Sequence, residues 1–236
     1  MAIAQVQVFA QASELFLGAA AAFTDTCLAA VAARGRCRVA LAGGSTPRGL
    51  FRVLGQEARL PWGAVDWYWG DERQVHPEHP DSNYRMARET LFAFAPVAPE
   101  RIHPMAGADP DAAAAALRYE AELRWAFPEP WPRFDLVLLG LGTDGHTASL
   151  FPGSPALAER ERLVLAPWVE KLGQHRLTLT LPVFNQAASI MFLVSGADKA
   201  PMVAQVLDGG PPVPAQLIRP VAGELRWFLD AAAAGA

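Results

Sequence analysis

The sequence has only two cysteines, Cys27 and Cys37, and it has no long uninterrupted apolar run. One cysteine falls in a predicted helix and the other just before a predicted strand, so they indicate neither a disulfide framework nor a C-x-x-C pair. The stretch LFLGAAAAFTDTCLAAVAA is rich in alanine and contains Asp25, and no basic leader precedes it. We therefore expect a reducing compartment, no membrane association and a cytoplasmic protein.

Blocks of one charge sign are also lacking. The chain has 20 Lys and Arg against 24 Asp and Glu, a formal net charge of -4. A nucleic-acid-binding protein would show a basic stripe, and an interaction tail would show a run of like charges. The expected partner is therefore a small-molecule substrate rather than a nucleic acid or a membrane, and we expect a monomer or a weak homo-oligomer.

The sequence does contain an alternation of helical and strand patterns. Its 236 residues suit one α/β domain, residues 1–236, and no flexible linker or internal repeat divides it. Apolar residues recur at helical spacing in the first predicted helix, at Phe16, Ala20, Phe23, Cys27 and Val31. The predicted strands are VQVF, RVALAGG, VDWYWG, FDLVLLG, HRLTLTL and SIMFLVSG; predicted helices cover about residues 47–57, 83–94 and 109–125, and the segment DKAPMVAQVL. Continuous apolar strands separated by helices predict a parallel sheet covered on both faces, with or without a small subdomain.

Polar clusters directly follow four of these strands: GGSTP after Leu41, GDER after Trp69, GLGTDGH after Leu139 and SGADK after Val194. The carboxyl ends of parallel strands share one edge of a sheet, and ligands of open α/β sheets bind at that edge. The sequence therefore predicts a ligand site where the four clusters meet.

The GGSTP segment has the composition of an anion site. Gly43 and Gly44 let the backbone approach an anion, and Ser45 and Thr46 supply hydroxyl donors. Pro47 suits the first turn of a helix whose amides favour phosphate. An N-capped helix after a glycine turn would use the same residues, so the segment leaves both interpretations open.

Charged residues in the neighbouring clusters are expected to complete the site. Arg176 in HRLTLT and Lys199 in SGADKAP would suit a phosphate monoester, unless they are ordinary solvated surface cations. In GDER, Asp71 can bind sugar hydroxyls and Arg73 can stabilise a developing oxyanion.

The segment GLGTDG matches the G-x-G-x-x-G pattern of a dinucleotide-binding loop, but its context argues against that function. Pro152 and Pro155 cut short the helix that such a loop requires, and Asp144 would face the pyrophosphate with the wrong charge. We therefore expect no nicotinamide cofactor.

The same segment ends in Asp144-Gly145-His146, which has the composition of a general base with its orienting carboxylate. Histidine is suited to proton transfer near neutral pH, and a nearby aspartate can fix its tautomer. Alternatively His146 only caps the short helix after it, or it serves as base to a nucleophilic Ser45, although the G-x-S-x-G elbow is missing.

The segment HPEHPDSNY contains His76, Glu78 and His79, which are metal-ligand types. The two prolines and the close spacing favour a turn, and no third cluster with zinc-like spacing accompanies them. We therefore expect no metal.

Five segments as a set resemble the 6-phosphogluconolactonase family of the glucosamine-6-phosphate isomerase/deaminase-like superfamily, and the resemblance extends over nearly the whole chain. These segments are LAGGSTP, WYWGDER, PDSNYRMARETL, LVLLGLGTDGHTASLFPGSPAL and RLTLTLP. The resemblance implies a modified Rossmann-type, mainly parallel sheet with helices on both faces. It also implies hydrolysis of 6-phospho-D-glucono-1,5-lactone in the oxidative pentose phosphate pathway, without metal or organic cofactor. His146 would be the general base, with Gly44, Ser45, Thr46, Arg176 and Lys199 on the phosphate side.

The mechanism expected from this resemblance gives each remaining candidate a role. Asp144 orients His146, and Asp71 with Asn83 contacts sugar hydroxyls. Either Arg73 or a backbone amide of the Gly142 loop stabilises the tetrahedral oxyanion.

Two related functions compete with lactone hydrolysis. Deaminases of the superfamily carry a catalytic Glu five residues beyond the histidine, where this sequence has Phe151. Sugar-phosphate-sensing regulators share this kind of fold but need a DNA-binding helix-turn-helix, whereas this chain is predicted to begin almost at once with a strand.

Overall fold

The computed structural model describes residues 4–236. Its strands are β1 (Gln5–Phe9), β2 (Cys37–Leu41), β3 (Val65–Trp69), β4 (Asp71–Arg73), β5 (Leu136–Leu139), β6 (Val164–Leu165), β7 (Trp168–Val169), β8 (Gln174–Leu179), β9 (Ser189–Val194) and β10 (Glu224–Asp230). Six of them form a larger sheet in the order β1-β10-β9-β5-β2-β3, with all neighbours parallel. The predicted parallel α/β sheet is therefore confirmed.

The central strands of this sheet are buried on both faces. Every residue of β5 and of β9 is buried. Because successive residues of a strand point to opposite faces, burial without alternation means that both faces are covered. The continuous apolar runs LVLL and SIMFLV already indicate in the sequence that both faces of these strands are buried.

The helices are α1 (Ala12–Arg34), α2 (Ser45–Leu54), α3 (Asn83–Thr90), α4 (Ala112–Ala126), α5 (Leu181–Asn185), α6 (Ala200–Asp208) and α7 (Ala231–Ala234). Short 3-10 turns occupy several connections, including Phe92–Phe94 after α3. The predicted helices correspond to α1, α2, α3, α4 and α6, with ends that differ by a few residues.

Helix α1 packs on the sheet and against α2. Its buried face runs through Leu15, Ala19, Phe23, Cys27 and Ala30, so it is rotated slightly from the predicted face and leaves Phe16 and Val31 half-buried. Gly35, with φ 73°, ends the helix in the left-handed conformation that glycine adopts without strain. The helix has 23 residues and contains an 18-residue window with a mean hydropathy of 1.7, so length and composition alone would let it cross a membrane, as they would for many core helices.

A second, smaller sheet is antiparallel, with β8 between β4 and β6 and with β7 also paired to β8. The interpretation of HRLTLTL as another strand of the parallel sheet is therefore wrong. Strand β4 directly follows the end of β3, and the Leu179 amide donates to the Gly70 carbonyl at 2.8 Å, which fixes β8 beside that junction.

The larger sheet also contains β10, between the edge strand β1 and β9, which the sequence pattern does not predict. Its first residues, Glu224 and Leu225, are exposed and half-buried, and only its last four residues are buried. Because the strand begins with charged residues, the short apolar run that pairs with β1 and β9 is not recognisable as a strand from the sequence.

One hydrophobic core joins the two sheets, since Leu138 of β5 and Leu177 of β8 belong to the same buried cluster. This common core is consistent with a single domain over 1–236, which stays a prediction. The first three residues of that range lie outside the described part of the chain.

Candidate active site

A cleft of about 200 Å³ opens at the carboxyl edge of the larger sheet. The strands β9, β5, β2 and β3 are neighbours there, so the segments that follow them converge. The cleft is lined by Ala42, Gly43, Gly44, Ser45, Thr46, Pro47, Asp71, Arg73, Gly140, Leu141, Gly142, His146, Ala148, Leu193, Val194, Ser195 and Lys199. All four polar clusters contribute, as the strand pattern predicts.

The GGSTP segment forms the entry to helix α2. Gly44 is the N-cap residue and has φ 102°, a conformation that other residues rarely adopt, and the helix begins at Ser45. A Cβ at Gly43 would lie 2.0 Å from Asn83 Oδ1, so only glycine fits between β2 and α3. The first turn of a ten-residue helix therefore faces the cleft with its free amides, and Lys199 lines the same cleft.

The loop after β5 closes on itself through backbone hydrogen bonds. The Gly142 amide donates to the His146 carbonyl at 2.8 Å, and the Gly145 amide donates to the Gly142 carbonyl at 2.9 Å. A Cβ at Gly142 would lie 2.0 Å from Nδ1 of His146, so the imidazole packs directly on this glycine. The glycines of this segment thus make a tight turn that presents His146, instead of the opening of a long helix.

His146 and Asp144 form a hydrogen-bonded pair through Nδ1 and Oδ1. Burial raises the pKa of the Asp144 carboxyl, but the hydrogen bonds from Lys171 and His146 outweigh it and hold that pKa well below its ordinary value. A carboxylate on Nδ1 fixes the tautomer whose Nε2 is free to accept a proton. Among the described residues no hydrogen bond engages Nε2, and the ring lines the cleft.

The imidazole also stacks on the ring of Phe151, with centroids 4.3 Å apart and an interplanar angle of 30°. This contact restrains the orientation of the His146 ring. It also places an aromatic ring, and no carboxylate, five residues beyond the histidine.

Asp71 is held in the cleft wall by two neighbours. Ser149 Oγ donates to Asp71 Oδ2 at 2.7 Å, and Asn83 Nδ2 donates to the Asp71 carbonyl at 2.9 Å. Asn83 is 2% exposed and is absent from the lining of the main cleft in the described part of the chain. Asn83 instead lines a neighbouring pocket that shares Gly44, Ser45 and Arg73 with the cleft, and its amide supports Asp71, so its contact with sugar hydroxyls stays a prediction.

Arg73 and Arg176 lie directly opposite each other in the β4–β8 pair. Opposed residues of antiparallel strands point to the same side, so the two guanidinium groups are close. Burial and then the charge of Arg73 lower the pKa of Arg176, and both Nε atoms are buried without a partner in residues 4–236. Arg73 lines the cleft, whereas Arg176 is not among the described residues that line it and lies next to Arg73, so the phosphate contact expected of Arg176 stays a prediction.

The HPEH segment forms a turn stabilised by its own side chains. The Glu78 amide donates to His76 Nδ1 at 3.2 Å, and the Glu78 carboxylate pairs with Arg88. Within residues 4–236, no cluster of three or more His, Cys, Asp or Glu side chains has the geometry to hold a metal ion.

Sequence reasoning missed three side chains that support the site. Ser149 donates to Asp71, and Ser195 shares a 2.9 Å hydrogen bond with Thr46. Both serines lie inside motifs named in the sequence analysis, so their hydroxyls could have been recognised there. Lys171, which contacts Asp144, lies in an unremarkable loop and carries no local signal.

Comparisons with known proteins show the family of the chain. The model of a family described as glucosamine-6-phosphate isomerases/6-phosphogluconolactonase matches residues 10–227. The chain is 43% identical over 232 residues to the 6-phosphogluconolactonase of Synechocystis sp., covering 96% of this chain and 95% of that protein. It is 41% identical over 210 residues to the 6-phosphogluconolactonase of Rattus norvegicus, covering 85% of this chain and 80% of that protein.

Solved structures give the same result for the fold. The 6-phosphogluconolactonase from Trypanosoma cruzi is similar with a TM-score of 0.90 and 28% identity, covering 100% of this chain and 97% of that chain. A monomeric glucosamine-6-phosphate deaminase has a TM-score of 0.81 at 23% identity over 98% and 99% of the two chains, which shows a shared fold alone.

Proposed function

The chain belongs to the glucosamine-6-phosphate isomerase/6-phosphogluconolactonase family, and on this premise we propose that it hydrolyses 6-phospho-D-glucono-1,5-lactone to 6-phosphogluconate with His146 as general base. The reaction is a step of the oxidative pentose phosphate pathway. The observation that carries the proposal is the Asp144–His146 pair, which leaves Nε2 at the cleft. A base in this position can take a proton from water as the water attacks the lactone C1, and can return it to the ring oxygen as that oxygen leaves.

The phosphate of the substrate is expected at the first turn of α2. The turn offers free backbone amides and the hydroxyl of Ser45, and Lys199 lines the same part of the cleft. Arg176, which lies opposite Arg73 in the β4–β8 pair, adds positive charge near the cleft, and its Nε is buried without a hydrogen-bond partner among residues 4–236. These groups together favour a dianionic ligand.

Arg73 is the better candidate for stabilising the tetrahedral oxyanion. The alternative is a backbone amide of the Gly142 loop, and the amide of Gly142 itself is already bonded to the His146 carbonyl at 2.8 Å. Arg73 lines the cleft and is permanently charged, so it can meet the developing negative charge without reorganisation. Asp71, fixed by Ser149, faces the same cleft and would accept hydrogen bonds from sugar hydroxyls.

Phe151 favours hydrolysis over the deaminase reaction. Its ring stacks on His146, in the position where the resemblance to deaminases would require a catalytic carboxylate. Hydrolysis of a lactone needs an activated water and an oxyanion donor, and neither role requires that carboxylate.

We infer a cytoplasmic protein whose partner is a small phosphorylated sugar lactone. Cys27 and Cys37 are both free thiols buried in the core, as expected for a reducing compartment. The proposed chemistry uses no cofactor or metal, and it requires neither nucleic acid nor membrane. We keep the expectation of a monomer or a weak homo-oligomer.

The direct test is the release of acid from freshly made lactone, with the spontaneous rate subtracted at every pH. The wild-type kcat/KM should rise with pH, because only the neutral imidazole can accept a proton from water. His146→Asn should lose about 10²- to 10⁴-fold in kcat, the usual contribution of general acid–base catalysis. Binding of 6-phosphogluconate should survive. Near-normal turnover by His146→Asn with the same pH profile would show that His146 is structural, and Asp71 or Asp144 would become the candidate base.

A further inference from the structure

The turn Glu170–Leu172, between β7 and β8, carries Lys171 to the catalytic pair. Lys171 Nζ contacts Asp144 Oδ2, the carboxylate oxygen that His146 does not use. The same Nζ lies 4.5 Å from the centroid of the Phe151 ring. The four side chains therefore form a closed cluster in which Asp144 and Phe151 each contact both His146 and Lys171.

The amino-acid composition independently marks this lysine. Among the 20 basic residues of the chain only two are lysines, Lys171 and Lys199, and the rest are arginines. Both lysines lie at the candidate site, one in the cleft lining and one on Asp144. A chain whose other Lys and Arg positions are all arginine has a compact ammonium at these two positions. Arginine would present a wider planar fork in the space between a carboxylate and an aromatic ring.

We propose that Lys171 is a positioning residue, which holds Asp144 in the orientation that presents His146 Nε2 to water and which keeps the imidazole neutral at lower pH. The proposal rests on the proposed role of His146. Lys171 occupies one carboxylate oxygen, so the other stays directed at Nδ1. Its positive charge offsets the negative charge of Asp144, and an unshared carboxylate would favour the imidazolium, which cannot act as a base.

Other charges also face His146 and must stay constant in a test. Asp144 belongs to the same loop and Lys171 comes from the small sheet. Asp71, Arg73 and Lys199 face the cleft from the segments after β3 and β9. Lys171 is half-exposed, with 50% of its side chain accessible, so solvent screens its effect.

The experiment compares Lys171→Met, which keeps the length but removes the charge, with Lys171→Arg, which keeps the charge. In Lys171→Met the rising limb of kcat/KM should move to higher pH by about half a unit to one unit, the shift expected when a screened charge is removed. Because more imidazole is then protonated, activity falls most below neutral pH. Lys171→Arg should restore much of the wild-type limb. KM for the lactone and the affinity for 6-phosphogluconate should change little in either variant.

Two results would overturn this role. A higher KM and weaker 6-phosphogluconate binding in Lys171→Met, with the limb unmoved, would make Lys171 a substrate-binding residue. An unchanged pH profile and unchanged kinetic constants would leave it no function in the site. Nitrogen NMR of the His146 imidazole, titrated in wild type and in Lys171→Met, gives a readout without turnover. If the enzyme fails to hydrolyse the lactone, the proposed function fails, and the NMR titration still decides whether Lys171 controls the protonation of His146.

Discussion

Replacing Gly142 with alanine tests whether the loop after β5 positions the general base by direct contact. The added Cβ would lie 2.0 Å from His146 Nδ1, 2.2 Å from its Cε1 and 2.8 Å from Asp144 Oδ1. Ordinary contact begins near 3.4 Å, so the ring must retreat by 1.4 Å (3.4 − 2.0). A misplacement of about 1 Å in a catalytic group costs on the order of 100-fold.

We therefore expect Gly142→Ala to lose about 100-fold in kcat, which corresponds to about 2.7 kcal/mol of transition-state stabilisation. Stability should change less than activity. The His146 side chain is 30% exposed and can swing toward solvent, so the loss should lie near the lower end of the overpacking range, about 1 kcal/mol. Thermal melting should then fall by about 2 to 4 °C.

Gly140→Ala is the matched control, since a Cβ at Gly140 meets no heavy atom within 4 Å. Lactone hydrolysis, corrected for the spontaneous reaction, and thermal melting are measured for both variants. Gly140→Ala should keep its kcat, although its methyl group faces the cleft and can raise KM. If Gly142→Ala turned over at the wild-type rate with an unchanged pH profile, the contact between the imidazole and Gly142 would not position the base.

Three further predictions concern the charges and the ligands of the cleft. Arg176→Ala removes the guanidinium that lies opposite Arg73, so kcat/KM for the phosphorylated lactone should fall by about tenfold, the lower end for a charge-assisted contact. Hydrolysis of unphosphorylated gluconolactone should change little. Equal losses on both substrates would assign Arg176 to the fold or the chemistry. In differential scanning fluorimetry, 6-phosphogluconate should raise the melting temperature and millimolar NAD or NADP should not, because only a ligand of the native state stabilises it. EDTA should leave activity unchanged, and a loss restored by zinc would return attention to the HPEH turn.

The sequence by itself located most of the site. Apolar runs such as FDLVLLG mark buried strands, and a polar cluster directly after such a run must lie at a strand end. The glycines around His146 and the Gly-Gly before Ser45 are local turn signals, and the structure has positive φ at Gly44 and Gly145. Strand order in a parallel sheet then brings the clusters to one edge, so His146, Ser45 and Lys199 were predictable as neighbours of one cleft.

Only the tertiary structure decided how distant side chains support these groups. Lys171 reaches Asp144 across 27 residues, and Ser149 reaches Asp71 across 78. The position of Arg176 opposite Arg73 follows from the antiparallel register of β4 and β8, and the apolar pattern of HRLTLTL is equally compatible with a parallel strand. Local periodicity records which face of a segment is buried and where the chain turns. It carries no information on the register and direction in which separate segments pair, because these depend on the path of the chain through the whole fold.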